Sequence, residues 1–352
     1  MKIKRNVLLA PYTTFRIGGP ADFLVEASGE NDLIWAINWA KEKDIPFIVL
    51  GGGSNVLISD KGVRGVVIIN RVQDSGFKVQ SYSPKFKVEQ EKEIIFPRLK
   101  PLRKKEITFK DFDYDESHCP KIEVEVASGV TLGRLIDQLL RRGITGLQWF
   151  VAIPGTIGGA VFGNIHGGSH FFSEVVKEVK VLNPEGEIKT VVNNECQFDY
   201  DQSRFQTSGE IILSVVLSLY LGEVKKACWV IKEWGGFKIK NQPQNSAGCV
   251  FKNLDQETCR RLGLPTPSMS WVIDKVLGLK GKRIGGAKIS EKHAGFIVNE
   301  KNAQAEDVLN LIRLVRKKAK ARLGIEPDLE ICLIKENGIC HHLSDNEKNE
   351  EG

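Results

Sequence analysis

A strand that runs straight into three glycines and out into a second strand is the feature that most restricts what this chain can become. Residues 47–50, Phe-Ile-Val-Leu, lead into Gly51-Gly52-Gly53-Ser54-Asn55, and Val56-Leu57-Ile58 resumes the apolar pattern. Glycine tolerates positive φ and lets another group approach the backbone closely. A turn of this kind therefore presents N–H groups suited to a pyrophosphate, with Ser54 and Asn55 adding hydroxyl and amide donors. The spacing is not GxGxxG and the turn leads to a strand, not a helix, which argues against a Rossmann domain. It also lacks the GK[ST] ending of a P-loop. A second segment, Pro154-Gly155-Thr156-Ile157-Gly158-Gly159 followed by Gly163-Asn164, again offers small residues and backbone donors. Two such segments flanked by strands suit a phosphate-bearing cofactor lying between two subdomains.

Around these landmarks the periodicity predicts a strand over 23–27, a helix over 31–43, and strands at 66–69, 122–127, 176–182, 187–192 and 211–221. A helix is expected over 132–142 with Thr131 as cap and Gly143 as stop. Another, over 305–323, has apolar residues at 308, 311, 312 and 315 on one face and Gly324 closing it. A strand over 329–334 ends the ordered part. Residues 71–121 are charge-dense, with Pro84, Pro97, Pro101 and Pro120, and read as an insertion or surface excursion without a catalytic role. The expected division is 1–70 and 122–221 as two subdomains, 71–121 as the insertion, 222–340 as a further domain, and 341–352 as a polar tail.

A chain of 352 residues has room for two or three domains. Its net charge of +6 is scattered among acidic residues, so nucleic acid is not implied, while a mild attraction for phosphate-bearing ligands is. Seven widely spaced cysteines without a CxxC pair disfavour a disulfide framework and a zinc site; no metal is expected. The N-terminal apolar run of four is too short for a signal-peptide core, and no run of about 18 apolar residues follows, so a cytoplasmic protein with no membrane partner is expected.

The ordered series GGGSN, IPGTIGGAVFGN, FDYDQSRF at 198–205, SAGCVFKN at 246–253, ISEKHAGFIVN at 289–299 and PDLEI at 327–331 resembles the UDP-N-acetylenolpyruvoylglucosamine reductase family, the UDP-N-acetylmuramate dehydrogenases. The resemblance covers residues 6–335 apart from 71–121, and is to the branch with a compact third domain. It implies an α+β fold: an FAD-binding region of two α+β subdomains, of the vanillyl-alcohol oxidase type, and a C-terminal α/β domain that closes over a UDP-sugar. It also implies an NADPH-dependent flavoprotein oxidoreductase of peptidoglycan precursor synthesis. In that reaction NADPH reduces FAD, and the reduced flavin reduces an enolpyruvyl ether to a lactyl ether. The chain is expected to be a monomer with FAD bound non-covalently, since no Cys or His falls inside either glycine motif, although His166 lies close to the second.

Hydride arriving at the terminal enolpyruvyl carbon leaves an enolate-like carboxylate beside it, which needs a charge stabiliser and a proton donor. The resemblance gives the proton to Cys249; a free thiol near its reference pKa of about 8.5 is mostly protonated at neutral pH. It gives Glu330, alternating with Leu329 and Ile331, the task of polarising the enolate or the substrate carboxyl. FAD contacts fall on Gly51, Gly52, Gly53, Ser54, Asn55, Pro154, Gly155, Thr156, Ile157, Gly158, Gly159 and Asn164. Substrate contacts fall on Lys238, Lys240, Lys252, Asn253, Ser290 and His293, beside Asn241, Gln242, Lys292 and Asn299.

One position departs from the family pattern. Tyr-Arg-x-Ser is usual, whereas this chain has Tyr200-Asp201-Gln202-Ser203-Arg204. An aspartate cannot bind a carboxylate as arginine does, so either Arg204 takes its place, or another basic residue does, or the activity is weakened. Arg204 is the first candidate; otherwise it forms a surface salt bridge to Asp199 or Asp201. Two other readings stay open: a flavin oxidase or dehydrogenase of the same fold acting on another small alcohol or sugar, and a non-catalytic flavin or nucleotide-sugar binding protein.

Overall fold

The structure is a computed structural model and describes residues 1–72, 76–80, 109–338 and 340–341. The chain folds as two compact units, one built from residues 1–25, 38–69 and 241–352, the other from 26–37 and 70–240.

In the first unit, Ile3–Leu8 pairs antiparallel with Pro20–Ala27, and Phe47–Leu50 runs parallel to Val63–Asn70, in a four-stranded sheet. Val56–Ile58, the strand after the glycine turn, leaves that sheet and pairs in parallel with Cys332–Ile334 from the far end of the sequence. An antiparallel sheet of Arg283–Ile284, Ala287–Ile289 and Ile297–Asn299 is covered by the helix Ala305–Leu323. Val308, Leu311, Ile312, Val315 and Ala319 form its buried stripe, and Gly324 ends it in the left-handed region at φ 66°. Asp60 accepts from the first N–H groups of this helix, Ala305 at 2.8 Å and Glu306 at 3.2 Å, so an anion sits at the positive end of the dipole.

The second unit is a five-stranded antiparallel sheet in the order Ile188–Val192, Val176–Leu182, Ile211–Tyr220, Lys121–Ala127, Phe77–Gln80. Alternate residues Ile122, Val124 and Val126 point into the core with Val179, Val215, Leu217 and Leu219. The helix Leu132–Leu140 buries Leu132, Leu135, Ile136 and Leu139 against them.

Two expectations change here. The excursion 71–121 is integral at its described ends: Phe77–Gln80 is an edge strand, and Phe112 packs with Trp149 and Val230 in a separate aromatic cluster. Glu116, only 6% exposed, accepts from Thr145 at 2.7 Å and Gln148 at 2.8 Å. The remainder of that segment and most of the tail lie outside the described residues. The break expected near residue 222 falls at Lys240/Asn241, because the helix Val224–Asn241 buries Ala227, Cys228 and Val230 with the second unit. Among the described residues no helix is long and apolar enough to cross a membrane. Cys332 is disulfide-bonded, whereas the cysteine spacing gave no reason to expect a bridge.

Candidate active site

In the first unit, four of the six segments read from the sequence are hydrogen-bonded to one another. Gly53 takes φ 59°, and a Cβ there would lie 2.2 Å from the Tyr12 carbonyl oxygen, so the turn requires glycine. Its carbonyl accepts from Thr14 N at 3.0 Å, and Thr14 Oγ1 donates to the Ser246 carbonyl at 2.7 Å. Asn55 Nδ2 donates to the Glu330 carbonyl at 3.0 Å, and the Asn55 carbonyl accepts from Cys332 N at 2.9 Å. Glu330 N donates to Val250 O at 2.9 Å, and Val250 N donates to Gly295 O at 2.8 Å. Asn55 thus commits one amide N–H to joining the turn to the Glu330 segment. Among the described residues, none accepts from the backbone N–H groups of Gly51, Gly52 or Gly53, which fits a diphosphate.

Cys249 is a half-buried free cysteine whose backbone forms an isolated antiparallel bridge with that of Phe296. A Cβ on Gly295 would lie 3.3 Å from Cys249 Sγ and 3.2 Å from the His293 ring, so a bare backbone separates thiol and imidazole. Burial, with Lys280 adding, pushes the pKa of the His293 imidazole down from its ordinary value; Ser270 Oγ lies 3.3 Å from its Nδ1. Glu330 is half-buried between Leu329 and Ile331, which face the core. Lys252 is half-buried and meets no acceptor among the described residues, while Asn253 Oδ1 accepts from Met269 N at 3.2 Å. Ser290 is 4% exposed, and its Oγ accepts from Lys292 N and His293 N; it holds the SEKH turn, so its expected substrate contact is corrected to a structural one.

The second unit gathers the other two segments. Thr156 caps the short helix Ile157–Phe162 by accepting from Gly159 N at 3.4 Å; Gly158 N donates to Ser128 O at 2.8 Å and Ile157 N to Val130 O at 2.9 Å. These three N–H groups are already used, and Ile157 is fully buried, which corrects the expectation that residues 157–159 present donors to a cofactor. Gly158 is a packing glycine, since its Cβ would lie 2.9 Å from Ser128 Cβ. Gly155 N and Thr156 N have no acceptor among the described residues and remain suited to an anion. Asn164, 2% exposed, donates to Asp199 O at 2.9 Å and accepts from Ser173 N at 2.9 Å, so it joins the two segments instead of reaching a ligand.

Arg204 does not replace the missing arginine. Its Nε and Nη2 grip both oxygens of Glu210, at 3.0 and 3.1 Å, and Nη1 donates to Glu195 O at 3.2 Å. Neither Asp199 nor Asp201 is its partner; Asp201 instead meets His166 at 3.2 Å. Since the Glu210 side chain is only 8% exposed, Arg204→Ala strands a buried carboxylate and is expected to lower stability by about 1–3 kcal/mol, discounted because Arg204 is itself 31% exposed. Chemical denaturation of the variant checks this, and an unchanged midpoint would return the pair to a dispensable surface contact.

Lys238 is 8% exposed and donates to Val151 O at 3.1 Å with Trp234 beneath it, whereas Lys240 is exposed at the end of the same helix. Burial pushes the Lys238 ammonium down to about 8. Between that value and its unfolded one of about 10.4, the unfolded chain holds more protons, so this residue makes stability rise with pH across the window. Below pH 8 both states are charged and the burial penalty is complete. Lys238→Met is therefore expected to be more stable than the parent at pH 7, by up to about 3 kcal/mol, with the gap closing by pH 10.5. A gap that does not vary between urea titrations at the two pH values would refute it.

The His166–Asp201 pair is the feature that motif reading passed over, although an acid at a position expected to be basic was a signal to look for its partner.

Residues 108–191 match the FAD binding domain model, so the chain is a flavin-binding protein of that class. Residues 239–334 match the C-terminal domain model of UDP-N-acetylenolpyruvoylglucosamine reductase. The reductase of that name from Prochlorococcus marinus is 31% identical over 94% of this chain and 97% of its own length. The one from Chlamydia felis is 33% identical over 94% of each. The crystal structure of the Thermus caldophilus reductase superposes with a TM-score of 0.67 at 30% identity, covering 95% of this chain and 99% of that one. The chain belongs to the UDP-N-acetylenolpyruvoylglucosamine reductase family.

Proposed function

We propose that this chain reduces UDP-N-acetylglucosamine enolpyruvate to UDP-N-acetylmuramate, with FAD as bound cofactor and NADPH as hydride donor, in peptidoglycan precursor synthesis. The observation that carries the reading is the convergence, in one unit of a reductase-family chain, of the Gly51–Asn55 turn with the Cys249, Gly295 and Glu330 segments. Bound FAD supplies a two-electron relay from NADPH to the enolpyruvyl double bond. The N–H groups of Gly51, Gly52 and Gly53, which no described residue accepts, would hold phosphate oxygens. Cys249 delivers a proton to the carbon that carries the carboxylate, and Glu330 polarises the developing enolate. Lys252, Lys240 and Asn253 take the anionic and polar groups of the UDP-sugar. Residues 1–70 and 122–240 provide the flavin region and the part from Asn241 onward the substrate domain. The protein works as a monomer in the cytoplasm, where NADPH and nucleotide sugars are available.

Anaerobic NADPH should bleach the yellow holoprotein, and addition of the enolpyruvyl compound should restore the oxidised spectrum. Restoration by oxygen alone, with indifference to the enolpyruvyl compound, would instead indicate an oxidase.

A further inference from the structure

Cys249, Ser270, His293 and Gly295 all belong to the first unit and meet at one point of its backbone. Cys249 Sγ lies 3.3 Å from the place that a Cβ on Gly295 would occupy, and Nδ1 and Cε1 of His293 each lie 3.2 Å from it. Apart from the chain neighbours of Gly295, these are the three atoms nearest to that place. A residue with no side chain therefore leaves thiol and imidazole open to one another. Both are half-buried, where water screens a charge on one from the other less than at the surface.

The arrangement is fixed by its neighbours. Ser270 Oγ accepts from Gly295 N at 3.0 Å and lies 3.3 Å from His293 Nδ1, so one hydroxyl holds both the bare backbone and the ring. Phe296 stands edge-on to the imidazole at 4.9 Å and 82°, and its backbone is bridged to that of Cys249. Val250 N donates to Gly295 O at 2.8 Å, which ties the cysteine segment to the same turn. The charges around the ring are few. Lys280, which with burial favours the neutral imidazole, is held at 3.2 Å by Asp274 of the π turn Val272–Val276 that follows Ser270. Glu291 is turned to Lys288 at 2.7 Å, and Lys292 is exposed. Among the described residues no carboxylate is bonded to the ring, so the acid it faces is the thiol.

We propose that His293, held by Ser270, is a positioning residue that sets the acidity of the Cys249 thiol across Gly295. A neutral ring leaves the proton on sulfur, and a ring that takes up a proton stabilises the thiolate. When the thiol proton passes to carbon, sulfur keeps the bonding pair as thiolate, and the ring draws one proton from water and returns it to sulfur. Each cycle thus takes one proton from water and leaves thiol and ring as they began. The use made of the proton rests on the proposed activity, whereas the coupling of thiol and ring does not.

Alkylation of Cys249 by iodoacetamide in the oxidised holoprotein, read at that residue by peptide mass spectrometry, reports the thiolate without any substrate. In the parent the rate should rise twice with pH, first as the ring loses its proton and again as the thiol ionises, because between the two some molecules carry imidazolium and thiolate together. Cys119, the other half-buried free cysteine, should rise once and serves as the internal control. His293→Gln should keep only the second rise at Cys249, and its rate at pH 6 relative to pH 9.5 should fall about tenfold. Ser270→Ala, which loosens the ring without removing it, should diminish the first rise by a smaller factor. Flavin reoxidation by the enolpyruvyl substrate should slow about tenfold in His293→Gln, with reduction by NADPH unchanged. The double variant Cys249→Ser, His293→Gln should be no slower than Cys249→Ser alone, since a hydroxyl does not ionise in this range and leaves the ring nothing to tune. A single rise in the parent, or a first rise that survives in His293→Gln, overturns the assignment. The expected alkylation profiles from a parent that the enolpyruvyl compound never reoxidises would sink the proposed function and leave the thiol–imidazole pair standing.

Discussion

Cys249→Ala, purified with its flavin, is expected to be reduced by NADPH as the parent is and then to be reoxidised by the enolpyruvyl substrate at least about 10²-fold more slowly. The asymmetry follows from where the proton goes. Flavin reduction moves a hydride from the nicotinamide and needs no group in the SAGCVFKN segment, whereas reduction of the double bond is complete only when the adjacent carbon is protonated. Truncation should hardly disturb the fold. The thiol is half-buried, and the neighbouring backbone is fixed by Val250 N to Gly295 O and by Glu330 N to Val250 O, bonds that do not involve the side chain. Cys249→Ser should retain substantial activity, since a hydroxyl of similar size donates from the same place. Stopped-flow traces with solvent deuterium give the decisive readout: a parent-like reoxidation rate in the alanine variant reduces the thiol to packing.

What could be read in advance, and what could not, follows from the range of the forces involved. The helix Ala305–Leu323 was visible because its apolar residues recur at helical spacing and Gly324 supplies the left-handed stop, both properties of a single short stretch. The strand, turn and strand of 47–58 were visible for the same reason. The pairing of Val56–Ile58 with Cys332–Ile334 depends on partners far apart in sequence, and nothing in either strand names the other. The same holds for the site. Cys249 and Glu330 were legible as members of motifs, and the half-buried placement of Glu330 between the core residues Leu329 and Ile331 follows the alternation read there. Arg204 was misread because its partner, Glu210, lies six residues on, past the motif, and a bidentate grip on a buried carboxylate outweighs any attraction to a ligand. Asn164 and residues 157–159 looked available because glycine-rich sequence reveals flexibility and not which N–H groups the fold has already used.

Glu330→Gln is expected to slow flavin reoxidation by the enolpyruvyl substrate by about 10²-fold, again without affecting flavin content or reduction by NADPH. The position of the residue does not depend on its charge. Its N–H is bonded to Val250 O, its carbonyl accepts from Asn55 Nδ2, and Leu329 and Ile331 on either side are anchored in the core. The glutamine side chain is the same size, so the variant removes a negative charge from an otherwise unaltered site, and its thermal midpoint should stay within a few degrees of the parent's. If the carboxylate and the Cys249 thiol serve the same protonation step, their losses will not add. The double variant Cys249→Ala, Glu330→Gln should then be little slower than the worse of the two single variants. Full multiplication of the two effects would place Glu330 in a separate step, and an unchanged reoxidation rate in the single variant would remove it from the chemistry altogether.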